Sequence, residues 1–132
     1  MSTPVVATGG DSFGTTVWPT EITLRKDEKE IHIAFDDGMA FVYPAELLRV
    51  ESPSAEVQGH GGEEKTIVAG RRHVGIINIE AVGNYAIRIA FDDLHDTGLF
   101  SWTYLYGLGR NRDAIWQRYL DALEAKGLSR DP

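Results

Sequence analysis

Ile31-His32-Ile33-Ala34-Phe35-Asp36-Asp37 and Ile87-Arg88-Ile89-Ala90-Phe91-Asp92-Asp93 are one heptapeptide in two copies, identical at six of seven positions and 56 residues apart. Each copy alternates apolar and polar residues and then runs into paired aspartates. That is the pattern of a half-buried strand entering a turn. The echo continues in Phe41-Val42-Tyr43 and Phe100-Ser101-Trp102, now 59 apart, and a short helix-like segment follows each. The change from 56 to 59 places three extra residues in the second copy, in the turn that contains His95. An internal duplication of this kind predicts an α+β domain of antiparallel strands. They form two pseudo-repeated strand–turn–strand–helix units, with a C-terminal helix packed on the sheet.

The remaining elements fall around the two copies. Glu21-Ile22-Thr23-Leu24-Arg25 alternates as a strand, and Lys26-Asp27-Glu28-Lys29 is the charged turn after it. Pro44 suits the start of a helix, so Pro44–Val50 reads as one or two helical turns. Residues 51–65 read as a long loop. Val74–Val82 is β-rich and Gly83-Asn84 turns the chain. Ser101 is the expected N-cap of a short helix through Leu108, and Asn111 that of a longer one over 112–126, which Gly127 ends. In the longer helix Ile115, Tyr119 and Leu123 recur every four residues, so one face is apolar. The domain limits that follow are a flexible leader over 1–17, a folded body over 18–109, and a C-terminal helix over 110–132 belonging to the same domain.

Composition bounds the function. The chain has 132 residues, no cysteine and a formal charge of −7. One domain of this size holds one modest core. Without cysteine there is no disulfide scaffold, no Cys-ligated metal and no thiol nucleophile. The segment 18–109 holds eight basic and fifteen acidic groups, whereas 110–132 is nearly neutral with five and four, so the charge belongs to the body. An acidic body predicts neither nucleic-acid nor membrane binding. No apolar run approaches the roughly 20 residues that span a bilayer. The expectation is a soluble cytoplasmic protein.

The search for chemistry finds little. There is no His-Glu-x-x-His and no phosphate-binding Gly-Lys-Ser/Thr loop. His60-Gly61-Gly62 reads as a glycine-rich turn. Asp92, Asp93, His95 and Asp96 are the densest group of potential metal ligands. Paired aspartates occur at Asp36/Asp37 and at Asp92/Asp93, and a feature present in both repeats points to capping of backbone N–H groups in a turn. Phe100, Trp102, Tyr104 and Tyr106 read as core filling. Arg71-Arg72-His73 is a short basic cluster in an acidic body, too small for a nucleic-acid footprint.

Residues 18–109 resemble the gamma-butyrobetaine hydroxylase-like N-terminal domain family. The resemblance rests on Trp18-Pro19-Thr20-Glu21-Ile22, Tyr43-Pro44-Ala45-Glu46-Leu47-Leu48-Arg49 and Ser54-Ala55-Glu56-Val57-Gln58-Gly59-His60-Gly61. It continues in Val82-Gly83-Asn84-Tyr85-Ala86 and in Asp92-Asp93-Leu94-His95-Asp96-Thr97-Gly98-Leu99-Phe100-Ser101-Trp102. In the hydroxylases such a domain precedes a separate oxygenase domain and holds a structural zinc with three cysteines and one histidine. The resemblance places Ser52, Ser54 and Val57 where the cysteines would stand, with His95 as the lone counterpart of the zinc histidine. It therefore implies the fold and a lost zinc. The family usually has glycine at position 94, and Leu94 is expected to reshape the acidic loop.

The expected function is a non-enzymatic, cytoplasmic binding or adaptor domain of the small bacterial type, accessory to metal or iron–sulfur pathways. Its partner would be a protein engaging a face formed by Asp92, Asp93, His95 and Trp102. A homodimer through an exposed edge strand is a second expected association. The alternative is a metal-binding protein in which His95, His60 and nearby carboxylates hold iron or zinc without cysteine.

Overall fold

The computed structural model describes residues 2–3, 17–59 and 65–132. Two antiparallel sheets form, one from each half of the chain. The first has the order β1 (Ser2–Thr3), β2 (Pro19–Arg25), β3 (Glu30–Phe35), β4 (Ala40–Pro44). The second has the order β5 (Ile76–Val82), β6 (Ala86–Phe91), β7 (Leu99–Ser101). Helix α1 (Ala45–Val50) follows β4 directly, as α3 (Trp102–Arg110) follows β7. A single turn, α2 (Ala55–Gln58), and the longer α4 (Arg112–Ala125) complete the fold. The expected α+β class with a duplicated unit is therefore the observed one. Among the described residues no helix is long and apolar enough to cross a membrane.

The duplication extends to hydrogen bonds. Phe35 lies opposite Pro19 and Ala34 opposite Glu21, so the register slips by one residue; Phe91 opposite Ile76 and Ala90 opposite Asn78 repeat the slip. The Asp36 N–H donates to Trp18 O and the Asp92 N–H to Gly75 O. Alternation then does what the period of two requires. Ile31, Ile33 and Phe35 point inward from β3, as Ile87, Ile89 and Phe91 do from β6, and all six are buried. Tyr43, Leu48, Phe100, Trp102 and Leu105 join them in one core shared by both sheets.

One part of the expected alignment slips. Tyr43 stands opposite Ile31 and Phe100 opposite Ile87, so the equivalent of Tyr43 is Phe100, 57 residues on, and that of Ala45 is Trp102. The second copy gains one residue rather than three. A two-residue displacement keeps the same side chains on the same face, which is why the aromatic echo looked right at the wrong offset.

Two further expectations change. The segment 51–65 contains α2, a single turn too short for periodicity to reveal. Asn111 does not cap α4 with its side chain; its Nδ2 donates to Gly107 O at 2.9 Å and closes the end of α3 instead. Ser101 does cap α3, accepting from the Tyr104 N–H at 3.1 Å. Helix α4 lays Ile115 and Trp116 against the main core, and buries Tyr119 and Leu123 with Val50 in a smaller cluster. The Tyr119 hydroxyl donates to Val68 O, and burial pushes it up to about 12. The leader expected over 1–17 lies outside the described residues, apart from the backbone of Ser2–Thr3, which pairs with β2, and Val17.

Candidate functional site at the second acidic turn

Both paired-aspartate turns are built alike. The second aspartate of each pair turns its carboxylate back onto the backbone: Asp37 Oδ1 accepts from the Met39 N–H at 2.9 Å, and Asp93 Oδ1 from the His95 N–H at 3.1 Å. This is the local capping that short acidic side chains provide. In each turn the residue after the pair takes a left-handed conformation, Gly38 at φ 89° and Leu94 at φ 73°. The Gly38 and Leu94 N–H groups close equivalent bonds, to Phe35 O and Phe91 O, both at 3.1 Å. Leu94 therefore does not reshape this turn as expected. The hydrogen bonds hold the leucine in a conformation that costs a side-chain-bearing residue about 1–2 kcal/mol. Its side chain gains nothing in return, since it is 85% exposed.

The turns differ in what surrounds them. Asp37 Oδ2 accepts from the Tyr106 hydroxyl, and that bond, with the Met39 N–H, holds its carboxyl below the ordinary range. Asp93 Oδ2 takes two guanidinium groups, Arg49 Nε and Arg71 Nε, each at 2.7 Å. Burial pushes the Asp93 carboxyl up, but the Arg49 bond, the His95 N–H and Arg71 outweigh it and hold it below the usual value. Arg49 is itself buried, and among the described residues its Nη1 has no hydrogen-bond partner.

His95 points inward from the same turn, with only 4% of its side chain exposed. Its Nε2 lies 3.0 Å from Ser52 Oγ and 3.4 Å from Ser54 Oγ, while Nδ1 lies 3.6 Å from Glu56 Oε2. Burial and the Arg49 charge hold the imidazole below its ordinary pKa, against the pull of Glu56, Asp93 and Asp96. Chain packing here is tight: a Cβ at Gly98 would stand 2.3 Å from Ser52 Oγ.

The structure thus brings together Ser52, Ser54 and His95, with Val57 buried one helical turn beyond Ser54. These are the positions at which the resemblance implies zinc ligands. The donor set does not fit zinc, which needs thiolates, imidazoles or carboxylates in number. Here one imidazole meets two hydroxyls and a valine. Among the described residues no group of three or more His, Asp or Glu side chains could hold a metal ion. His60 lies outside them.

Of the expected face, Asp92 is exposed, Asp93 is half-buried beneath its arginines and His95 is buried. Trp102 is not part of it. The indole is fully buried and donates from Nε1 to Asn84 O at 2.8 Å, so no part of its ring is left for a partner. The exposed side chains of the turn are Asp92, Leu94, Asp96 and Thr97. Arg49 and Arg71 were missed, because nothing local marks contacts made 44 and 22 residues away. Leu94, which the resemblance already marks as a departure from glycine, also stands where the first copy has Gly38.

Fold and site together define a class: a duplicated antiparallel α+β domain whose second acidic turn is locked by buried polar contacts and carries an exposed leucine. The chain belongs to the gamma-butyrobetaine hydroxylase-like, N-terminal family, which matches residues 22–106. Two solution structures determined by NMR are each 44% identical with a TM-score of 0.77. One covers 87% of this chain and 90% of its own, the other 94% and 92%. A crystal structure from Acidithiobacillus ferrooxidans ATCC 23270, described as a protein of unknown function in the DUF971 family, is 34% identical. Its TM-score is 0.58, covering 69% of this chain and 91% of its own. No curated protein matches.

Proposed function

We propose that this protein is a non-enzymatic, cytoplasmic binding domain whose second acidic turn engages a protein partner, with Leu94 as the apolar contact and Asp92 and Asp96 as the charged ones. The observation that carries the reading is Leu94, 85% exposed at φ 73°. Backbone strain persists where something other than folding stability maintains it, and an exposed leucine in an acidic rim is an anchor with charges around it. The partner surface that fits is an apolar pocket ringed by Lys or Arg. Beneath the turn, the Ser52–Ser54–His95 contacts and the Arg49–Asp93–Arg71 clamp stand in place of the zinc, so the protein needs no metal at this position. Quantitative capture from native lysate compares wild type with Leu94→Gly and with Asp92→Asn/Asp96→Asn. Partners held by wild type and lost by both variants, with circular dichroism unchanged, support the proposal. The same partners held equally by all three proteins would remove the turn from the interface.

A further inference from the structure

Residues 127–132 follow α4 as a strap laid against the body. The Gly70 N–H donates to Ser129 O at 2.9 Å and the Arg72 N–H to Arg130 O at 3.0 Å, so the strap pairs with 70–72 as a strand would. Of residues 126–132 only Arg130 is not exposed. Its guanidinium forks onto Glu46, with Nε 2.9 Å from Oε2 and Nη2 2.6 Å from Oε1, and its Cζ stands 5.1 Å from the centre of the Trp116 ring. Glu46, on α1, has only 7% of its side chain exposed. Beside the fork lies a cavity of about 260 Å³, bounded by Pro44, Leu47, Asp113 and Trp116. Arg112 lines it too, but its Nη1 is committed to Val42 O at 2.8 Å.

We infer that Glu46 and Trp116 form an arginine-binding site with an exchangeable occupant: an extended, arginine-bearing segment of a partner protein displaces residues 129–131 and seats its own guanidinium on Glu46. A carboxylate buried to this depth is costly without a hydrogen-bonded cation, so the site requires one. Two-point contact on a planar fork, with an indole face beside it, selects a guanidinium over an ammonium. Apart from Arg130, the strap brings to 70–72 two backbone hydrogen bonds and the Arg72–Asp131 ion pair, and it buries no apolar side chain. An exposed ion pair of that kind contributes little. A partner segment that repeats the two backbone bonds and the fork therefore replaces the strap contact for contact. Asp113, exposed at the rim of the cavity, and the chain's charge of −7 favour a basic segment.

Fluorescence anisotropy of a labelled Gly-Leu-Ser-Arg-Asp-Pro peptide, the sequence of 127–132, tests the exchange on the full chain. The peptide should bind Arg130→Ala at least about ten-fold more tightly than wild type, where the strap competes at high effective concentration. A peptide with lysine in place of arginine should bind Arg130→Ala at least about ten-fold more weakly. Equal binding to the two proteins, equal binding of the two peptides, or no binding to Arg130→Ala up to about 1 mM overturns the inference. Should Arg130→Ala fold poorly, thermal melts with propylguanidinium at millimolar concentration give a second test. The ligand should raise the Tm of Arg130→Ala toward that of wild type and leave Glu46→Gln/Arg130→Ala, which lacks the buried charge, unmoved. Equal shifts in both variants, or none in either, overturn the site.

Discussion

Replacing Leu94 by glycine should stabilise the protein while removing the side chain proposed to bind. Leu94 sits at φ 73° with 85% of its surface in water. Relief of the left-handed penalty is worth about 1–2 kcal/mol. Glycine returns about 0.4–1 kcal/mol of that through the freedom it adds to the unfolded chain. Little burial is lost, so the net gain lies between about 0 and 1.6 kcal/mol, centred near 0.8, or roughly 3–5 °C in Tm at that centre for a domain of this size. Urea denaturation with an unchanged slope measures it. The pseudo-symmetric control is Gly38→Leu: a Cβ there meets nothing within 4 Å, so only the backbone at φ 89° is charged with the change. It should cost about what Leu94→Gly gains. A Leu94→Gly protein destabilised by about 1 kcal/mol or more would mean that the leucine packs, and the argument from unexplained strain would fail.

Two further predictions concern the contacts beneath the turn. His95 has a folded pKa below its ordinary 6.5, so the unfolded chain takes up the proton first and stability should fall as pH drops from about 7 through 6. Asp93, held below 3.8, adds its loss lower, as pH falls through its folded value; His95→Gln should erase the first step and keep the second. Denaturation midpoints against pH resolve the two, and a flat wild-type profile between pH 7 and 5 would contradict the assignment. The triple variant Ser52→Cys/Ser54→Cys/Val57→Cys should take up zinc, and cobalt with a thiolate charge-transfer band, while wild type takes up neither. A triple variant that folds but binds nothing would show that the four positions do not converge on one metal.

The sequence made the duplication legible because a strand with a buried face must alternate, and two copies of the alternation ending in Asp-Asp leave little else to fit. Offset was harder. Moving Phe100 from the place of Phe41 to that of Tyr43 changes no side chain's face, so only the hydrogen-bond register decides it. Helix α2 escaped because one turn has no period to detect. At the site, the carboxylate's local role was readable from its recurrence, and Asp37 and Asp93 do bond the N–H two residues on. The meeting of His95 with Ser52 and Ser54 came only through the family's ligand pattern, because those contacts span 43 and 41 residues. For Trp102 the core-filling reading of the aromatic run is the one the fold bears out, and its place on the face is not: it follows β7 into the core.

Site-specific photocrosslinking tests the proposed interface most directly. A photoreactive residue at position 94 is compared with one at Met39, which is 39% exposed beside the first acidic turn. The account predicts a discrete adduct from position 94, absent from position 39 and suppressed by excess unlabelled wild type but not by excess Leu94→Gly. Identical adducts from both positions, or suppression by Leu94→Gly as complete as by wild type, would contradict it.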